Sequence, residues 1–216
     1  MNNTYVAIMA GGIGSRFWPG SRTSRPKQFL DVLGIGKSLI QSTYDRFLKI
    51  CPKENILILT NEMYRDLVKE HLPDLKDSQI LGEPSRNNTA PCVAYTTYRI
   101  QAMNPNATFI VTPADAIILD EDVFVEDVTN AVNFASENDA LCTLGIKPTS
   151  PHTGYGYINY DGNQVATGVH KVHRFTEKPD LETAKTFLAS GDYVWNAGIF
   201  IWNVKSVINA LAANAP

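Results

Sequence analysis

Short apolar runs recurring between amphipathic helical segments restrict this 216-residue chain to a layered α/β architecture. Tyr5–Met9, Ile56–Leu59, Gln79–Leu81, Phe109–Val111 and Ala140–Gly145 are strand-sized. The most continuous of them, such as Tyr5–Met9, read as strands covered on both faces. Between them, Ser38 can cap a helix with Leu39, Thr43, Phe47 and Ile50 in helical period and Pro52 just past its end. Glu62–Leu72 is amphipathic and stopped by Pro73, and Thr89–Met103 and Asp120–Ser136 keep the same period. The series predicts a Rossmann-like α/β fold: a mixed, mostly parallel sheet sandwiched by helices, with right-handed crossovers.

From about Lys147 the pattern changes. Gly154–Tyr160 alternates in strand fashion, Asp161-Gly162 offers a turn, and Val165–Phe175 follows, which predicts a hairpin-rich lid. A helix over Leu181–Ser190, a strand over Val194–Trp202 and a helix over Val204–Ala213 return the chain to the sheet. No repeat or linker divides it, so residues 1–216 read as a single domain. The final Ala-Asn-Ala-Pro, with no closing element after the helix, reads as the end of a fragment.

A net charge of −3 and the lack of a basic tail argue against general affinity for nucleic acid or anionic membranes. The longest apolar runs fall far short of the roughly 20 residues needed to span a bilayer, and the N-terminus lacks a signal-peptide pattern, which places the protein in the cytoplasm. Cys51, Cys92 and Cys142 are widely spaced in apolar or helical surroundings and read as reduced structural thiols rather than a disulfide framework or zinc site. His71, His152, His170 and His173 show no ligand spacing and carry no assigned role.

Positive charge is concentrated in one place. Directly after the first strand the chain reads AGGIGSRFWPGSRTSRPKQFL, Ala10–Leu30, with Arg16, Arg22, Arg25 and Lys27 within a dozen residues. A glycine-rich loop leaving the carboxyl end of a strand lets backbone N–H groups approach an anion, and the clustered cations fit a polyphosphate. Glycine turns beside surface cations are the plainer reading of the same residues. The Rossmann fingerprint fails because Phe17 stands at its third glycine and Trp18-Pro19-Gly20 interrupts the expected helix. Gly36-Lys37-Ser38 resembles the end of a Walker A loop, but Asp31 stands at its first glycine.

The whole stretch resembles the opening motif of the sugar-phosphate nucleotidyltransferases. Its Phe-Trp-Pro, Ser-Arg and Pro-Lys-Gln-Phe-Leu elements resemble the guanylyltransferase branch that acts on mannose 1-phosphate, and the likeness continues to the C-terminus. The resemblance implies a catalytic domain with residues 1–146 as its nucleotide-binding half and 147–216 as its sugar-phosphate part. It implies GTP and mannose 1-phosphate as substrates, GDP-mannose and pyrophosphate as products, Mg²⁺ as cofactor, no nucleic-acid or membrane partner, and a homodimer among the assemblies open to the protein. A sister enzyme using another base or sugar, and a noncatalytic nucleotide-sugar-binding module, are the alternatives.

Residue by residue, the resemblance makes Gly11, Gly12, Gly14, Ser15, Arg16 and Lys27 the triphosphate grip, with Arg16 and Lys27 catalytic. Phe109–Asp115 is an apolar strand ending at Pro113, so Asp115 emerges at the same sheet edge; the family's Pro-Ala-Asp motif makes it the catalytic metal ligand, a capping aspartate being the rival reading. The resemblance implies a histidine next, where this chain has Ala116, and a second metal-binding acid beyond residue 216. Glu83-Pro-Ser-Arg-Asn-Asn-Thr-Ala-Pro91 matches the base-contacting segment, with Glu83, Asn88 and Thr89 as candidates for guanine. An arginine expected before Asn-Thr is replaced by Asn87, with Arg86 one position earlier. Gly154-Tyr-Gly-Tyr157, Glu177-Lys178-Pro179 and Trp195-Asn-Ala-Gly198 match three sugar motifs, giving Gly156, Glu177, Lys178 and Asn196 as sugar-phosphate ligands. Taken alone, Glu-Lys-Pro is a polar turn, and Trp195 and Phe200 are candidates for the core.

Overall fold

The computed structural model describes residues 3–12, 14, 17–83 and 89–214. Its frame is one eight-stranded mixed sheet in the order β3-β2-β1-β4-β8-β6-β7, with β5 also paired to β8. The strands are β1 (Thr4–Met9), β2 (Ile56–Asn61), β3 (Ile80–Glu83), β4 (Thr108–Pro113), β5 (Leu141–Ile146), β6 (Gly156–Ala166), β7 (Val169–Glu177) and β8 (Tyr193–Asn203). The helices are α1 (Leu39–Leu48), α2 (Arg65–His71), α3 (Thr89–Met103), α4 (Glu121–Glu137), α5 (Leu181–Ser190) and α6 (Val204–Asn214).

The continuous apolar runs become strands because both sheet faces are covered. Val6, Ile8, Ile56, Ile58 and Ile110 turn to one side, against Phe47, Val68 and Val128 of α1, α2 and α4. Ala7, Leu57, Leu59, Phe109 and Val111 turn to the other, against Val93, Ile100 and Val207 of α3 and α6. This period of two along each strand divides the core in two. Each fully buried Val, Leu, Ile or Phe in it contributes about 1.5–3 kcal/mol.

The parallel part is β3-β2-β1-β4. Beyond β4 the sheet is antiparallel, because β8 returns along β4 and carries β5 and β6 with it. The segment after Lys147 is a single hairpin: the base of β6 pairs with β8, and from Tyr160 onward β6 pairs with β7 alone.

The hairpin turns at Thr167-Gly168, not at Asp161-Gly162 as the sequence predicts. Asp161 accepts from the backbone and side chain of Asn163 at 2.9 and 3.1 Å, and its own carbonyl meets Nδ1 of His170 at 2.7 Å, so Asp-Gly is absorbed as a register shift inside the strand. Gly168, at φ 69°, supplies the left-handed residue that the actual turn needs. Cys51, Cys92 and Cys142 are free thiols, the first two buried. Burial pushes the Cys51 thiol up to about 12, and burial with the Glu83 carboxylate alongside pushes Cys92 up to about 12.

Candidate functional site

Register fixes which predicted residues share an edge. Met9 pairs with Pro113 and Asn61 with Glu83, so β1, β2, β3 and β4 all end at one side of the sheet. There β1 releases the glycine loop and β4 releases Asp115. β4 and β8 pair as far as Val111 and Phe200, and a register shift in the β5–β8 pairing separates Phe200 from Asn196, which lies opposite Gly145. Farther along β8, on the edge opposite β5, Tyr157 pairs with Trp195, and Gly156 pairs with Glu177, so Gly156, Glu177 and Asn196 fall at the same level.

Below this edge lies a cavity of about 530 Å³ lined by Gly12, Gly14, Phe17, Lys27, Gln28 and Asp115, with Met9, Ala10, Pro113 and Ala114 as its floor. Lys27 and Asp115, 88 residues apart in the chain, form an ion pair inside it. Their side chains remain 39% and 23% exposed, so both stay within reach of a ligand.

The loop is held by side chains that bond its carbonyls. Gln28, only 3% exposed, donates one amide hydrogen to the carbonyl of Ala10 at 2.7 Å and the other to that of Gly12 at 3.0 Å. Thr60 at the end of β2 also donates to the Ala10 carbonyl, at 3.1 Å, and the hydroxyl of Ser21 donates to that of Gly14. Gly14 has φ 63°, and a Cβ there would stand 3.0 Å from Lys27 Cγ and 3.1 Å from Ser21 Oγ. Between Ser21 and Lys27, Arg22 and Arg25 exchange two backbone hydrogen bonds at 3.1 and 2.9 Å that close the turn Thr23-Ser24.

Asp115 is braced the same way from α1. Thr43 donates to the carbonyl of Ala114 at 3.1 Å, and the buried Arg46 guanidinium reaches the carbonyl of Ala116 at 3.4 Å while donating to Glu121 at 3.2 Å. Burial depresses the Arg46 pKa, and Glu121, hydrogen-bonded by Lys49 and paired with Arg46, titrates below the ordinary glutamate range. The carbonyls on both sides of the carboxylate are thus anchored.

Gly12, Gly14, Lys27 and Asp115 therefore converge on the cavity, and Gly11 lies in the same loop without lining it. Ser15, Arg16 and Asn88 lie outside the described residues. Glu83 ends β3 at the same edge, half-buried beside Cys92, but does not line the cavity, and Thr89 opens α3. Gly156, Glu177, Lys178 and Asn196 do not line it either and gather where β6 pairs with β7 and β8. A Cβ on Gly156 would press on Phe175 and on Oε2 of Glu177 at 2.8 Å, so only glycine leaves that carboxylate beside the strand. Lys178 pairs with Glu177 at 3.1 Å and has φ 45°, an uncommon backbone for lysine, held by its N–H to the carbonyl of Tyr155 at 3.2 Å. Glu-Lys-Pro is also the turn from β7 into α5, which Asp180 caps through the N–H of Thr183 at 2.8 Å. Asn196 accepts from Thr143 Oγ1 and from the N–H of Gly198, both at 3.0 Å, and Trp195 is half-buried in an aromatic cluster with Tyr155 and Tyr157.

Sequence reasoning did not assign Gln28, Ser21, Thr60, Thr43 and Arg46. Arg46 carried a signal: three residues after Thr43 and next to Phe47, it falls on the apolar side of its helix, where an unpaired charge is costly.

An open α/β sheet that gathers a glycine loop, a lysine and a lone carboxylate at the carboxyl ends of its parallel strands defines a phosphate-handling protein. The nucleotidyl transferase family profile matches residues 5–216, and the chain belongs to that family. Among curated relatives, the xanthan biosynthesis protein XanB of Xanthomonas campestris pv. campestris is 41% identical over 218 residues, covering 100% of this chain and 45% of the relative. A mannose-1-phosphate guanylyltransferase of Salmonella montevideo is 41% identical over 211 residues, covering 94% and 44%. The chain spans less than half the length of these relatives. Among solved structures, a Thermus thermophilus protein described as a mannose-1-phosphate geranyltransferase superposes with a TM-score of 0.88 at 30% identity, covering 97% of this chain and 60% of that one.

Proposed function

We propose that this chain is the catalytic region of a mannose-1-phosphate guanylyltransferase, joining GTP and mannose 1-phosphate into GDP-mannose with release of pyrophosphate. The observation that carries the reading is the meeting of Lys27 and Asp115 in one cavity beneath the glycine loop. The names of the Salmonella and other guanylyltransferase relatives support the choice of base and sugar.

A sugar phosphate is already largely ionised at neutral pH, since its second pKa is about 6, so the attack on the α-phosphorus needs no general base. What the protein supplies is alignment and charge. Lys27 binds the triphosphate, Arg16 clamps the leaving pyrophosphate, and the amides of Gly11, Gly12, Gly14 and Ser15 cradle it. Glu83 accepts from the adjacent N–H and NH₂ of guanine, and Asn88 and Thr89 are further candidates for the base. Lys178 binds the sugar phosphate, and Glu177, Asn196 and the backbone of Gly156 bond the sugar hydroxyls.

Among the described residues no group of three or more His, Cys, Asp or Glu could hold a metal. A single, partly exposed carboxylate in a cavity does fit Mg²⁺, which is usually held by one or two carboxylates and completed by phosphate oxygens and water. Asp115 would hold it there, where the ion would neutralise charge on the phosphates.

The test is a panel of GTP, ATP, UTP and dTTP against mannose and glucose 1-phosphates, with pyrophosphate release as readout. GTP with mannose 1-phosphate should give the highest kcat/KM. Preference for UTP or dTTP would point to a sister enzyme, and nucleotide-sugar binding without turnover to a binding module.

A further inference from the structure

We infer that Gln28 is a positioning residue that sets the glycine loop for phosphate binding, a role distinct from that of the neighbouring Lys27. The inference rests on the nucleotidyl-transfer reading and deepens it.

Alternate carbonyls along the loop are each captured by a side chain: Ala10 by Gln28 and Thr60, Gly12 by Gln28, and Gly14 by Ser21. A carbonyl oxygen facing a phosphate repels it, so a loop built to receive an anion must direct its carbonyls elsewhere. Because the peptide unit is planar and trans, pinning the Ala10 carbonyl also directs the N–H of Gly11 to the opposite side. Glycines give the loop this capacity but no preference for it, since they populate many backbone conformations. The preference comes from Gln28.

A primary amide is the side chain suited to the task. It has two hydrogens on one nitrogen, and both are used, on carbonyls two residues apart. Glutamate has the same shape and no hydrogen to give at neutral pH, while lysine would bring a charge into a site that is 3% exposed. Phe29, next in the chain and fully buried, fixes the backbone of Gln28 against the core, so the amide cannot follow the loop if the loop moves. Gln28 therefore links the hydrophobic core to the loop, and Lys27, its neighbour on the chain, presents its charge from the same anchored turn.

Two variants test this: Gln28→Met, which keeps volume and removes both donors, and Gln28→Glu, which replaces them with acceptors aimed at two carbonyls. Each is compared with the parent by thermal melting, by hydrogen exchange of the loop and of β1, β2 and β4, and by calorimetric titration with pyrophosphate and with GTP. The expected result is at least tenfold weaker pyrophosphate binding for Gln28→Met and a further loss for Gln28→Glu. Exchange should accelerate at Ala10, whose N–H bonds the carbonyl of Leu59 at 2.7 Å, while the strand interiors keep their protection, and kcat should fall together with GTP affinity. Pyrophosphate affinity within twofold of the parent in both variants overturns the inference, as does a lowered melting temperature with unchanged affinity, which would make Gln28 merely structural. If the parent binds neither pyrophosphate nor GTP, the nucleotidyl-transfer reading itself fails and this inference falls with it.

Discussion

Replacing Lys27 by methionine separates the stability of this site from its function. The Lys27–Asp115 pair is partly solvated, with side-chain exposures of 39% and 23%, so its contribution to folding falls in the surface range of about 0.2–1 kcal/mol. For a chain of this size, removing it should lower Tm by no more than about 2–4 °C. The effect on ligand is much larger. A unit charge about 4 Å from a phosphate is worth about 4 kcal/mol at an effective dielectric constant near 20, and removing Lys27 also leaves the Asp115 charge uncompensated beside the anion. Taking half of that figure as a floor, metal-free GTP binding should weaken by at least about 30-fold. Fluorescence titration of a labelled GTP analogue in EDTA, alongside melting curves, measures both quantities. Because Lys27 also occupies Asp115 as a cation would, the variant should bind Mn²⁺ more tightly than the parent in the absence of nucleotide, as read by electron paramagnetic resonance. A Tm loss above about 8 °C, or metal-free GTP affinity within twofold of the parent, would refute this account of the pair.

Glu121→Gln should destabilise the fold by about 1–2 kcal/mol at pH 7, because it leaves the buried Arg46 guanidinium without its counter-charge and Lys49 without its acceptor. The depressed Glu121 pKa means that its contribution is complete above the ordinary value of 4.5 and is lost as pH falls through the lower folded value, so parent and variant should converge in urea melts as pH is lowered progressively below 4.5. Gly14→Ala forces a left-handed residue with a Cβ crowding Lys27, and should cost about 1–2 kcal/mol in chemical denaturation while weakening pyrophosphate binding; unchanged affinity would show that the loop tolerates the shift. Cys51 and Cys92, with thiols near 12, should resist Ellman's reagent at pH 8 until the chain is unfolded; their rapid labelling in the native state would contradict their burial.

The fold was largely legible because each strand of the parallel core is covered on both faces and therefore reads as an uninterrupted apolar run. Ser38, Pro52 and Pro73 marked helix boundaries through local chemistry that tertiary contacts did not override. The hairpin turn was misread because Asp161-Gly162 has strong turn chemistry, while Thr167-Gly168 owes its position to strand pairing, a non-local property. Lys27 and Asp115 could be named from motif and strand-end position, since a strand's end dictates where the next residue emerges. Gln28 and Arg46 could not be assigned: their importance lies in which carbonyls they reach, and no periodicity encodes a bond across 18 or 70 residues.

The return of β8 along β4 has a further meaning. The strand contributes Val111's partner Phe200 at one end and Tyr157's partner Trp195 at the other, so one stretch of backbone is paired both to the strand that ends at the cavity and to the hairpin. The spacing between them is therefore set within one strand, at the irregularity between Asn196 and Phe200 where Gly198 has φ 70°. A side chain at Gly198 would strain that step and offset one end from the other, whereas changes in the outer ribbon beyond Tyr160 leave that spacing untouched.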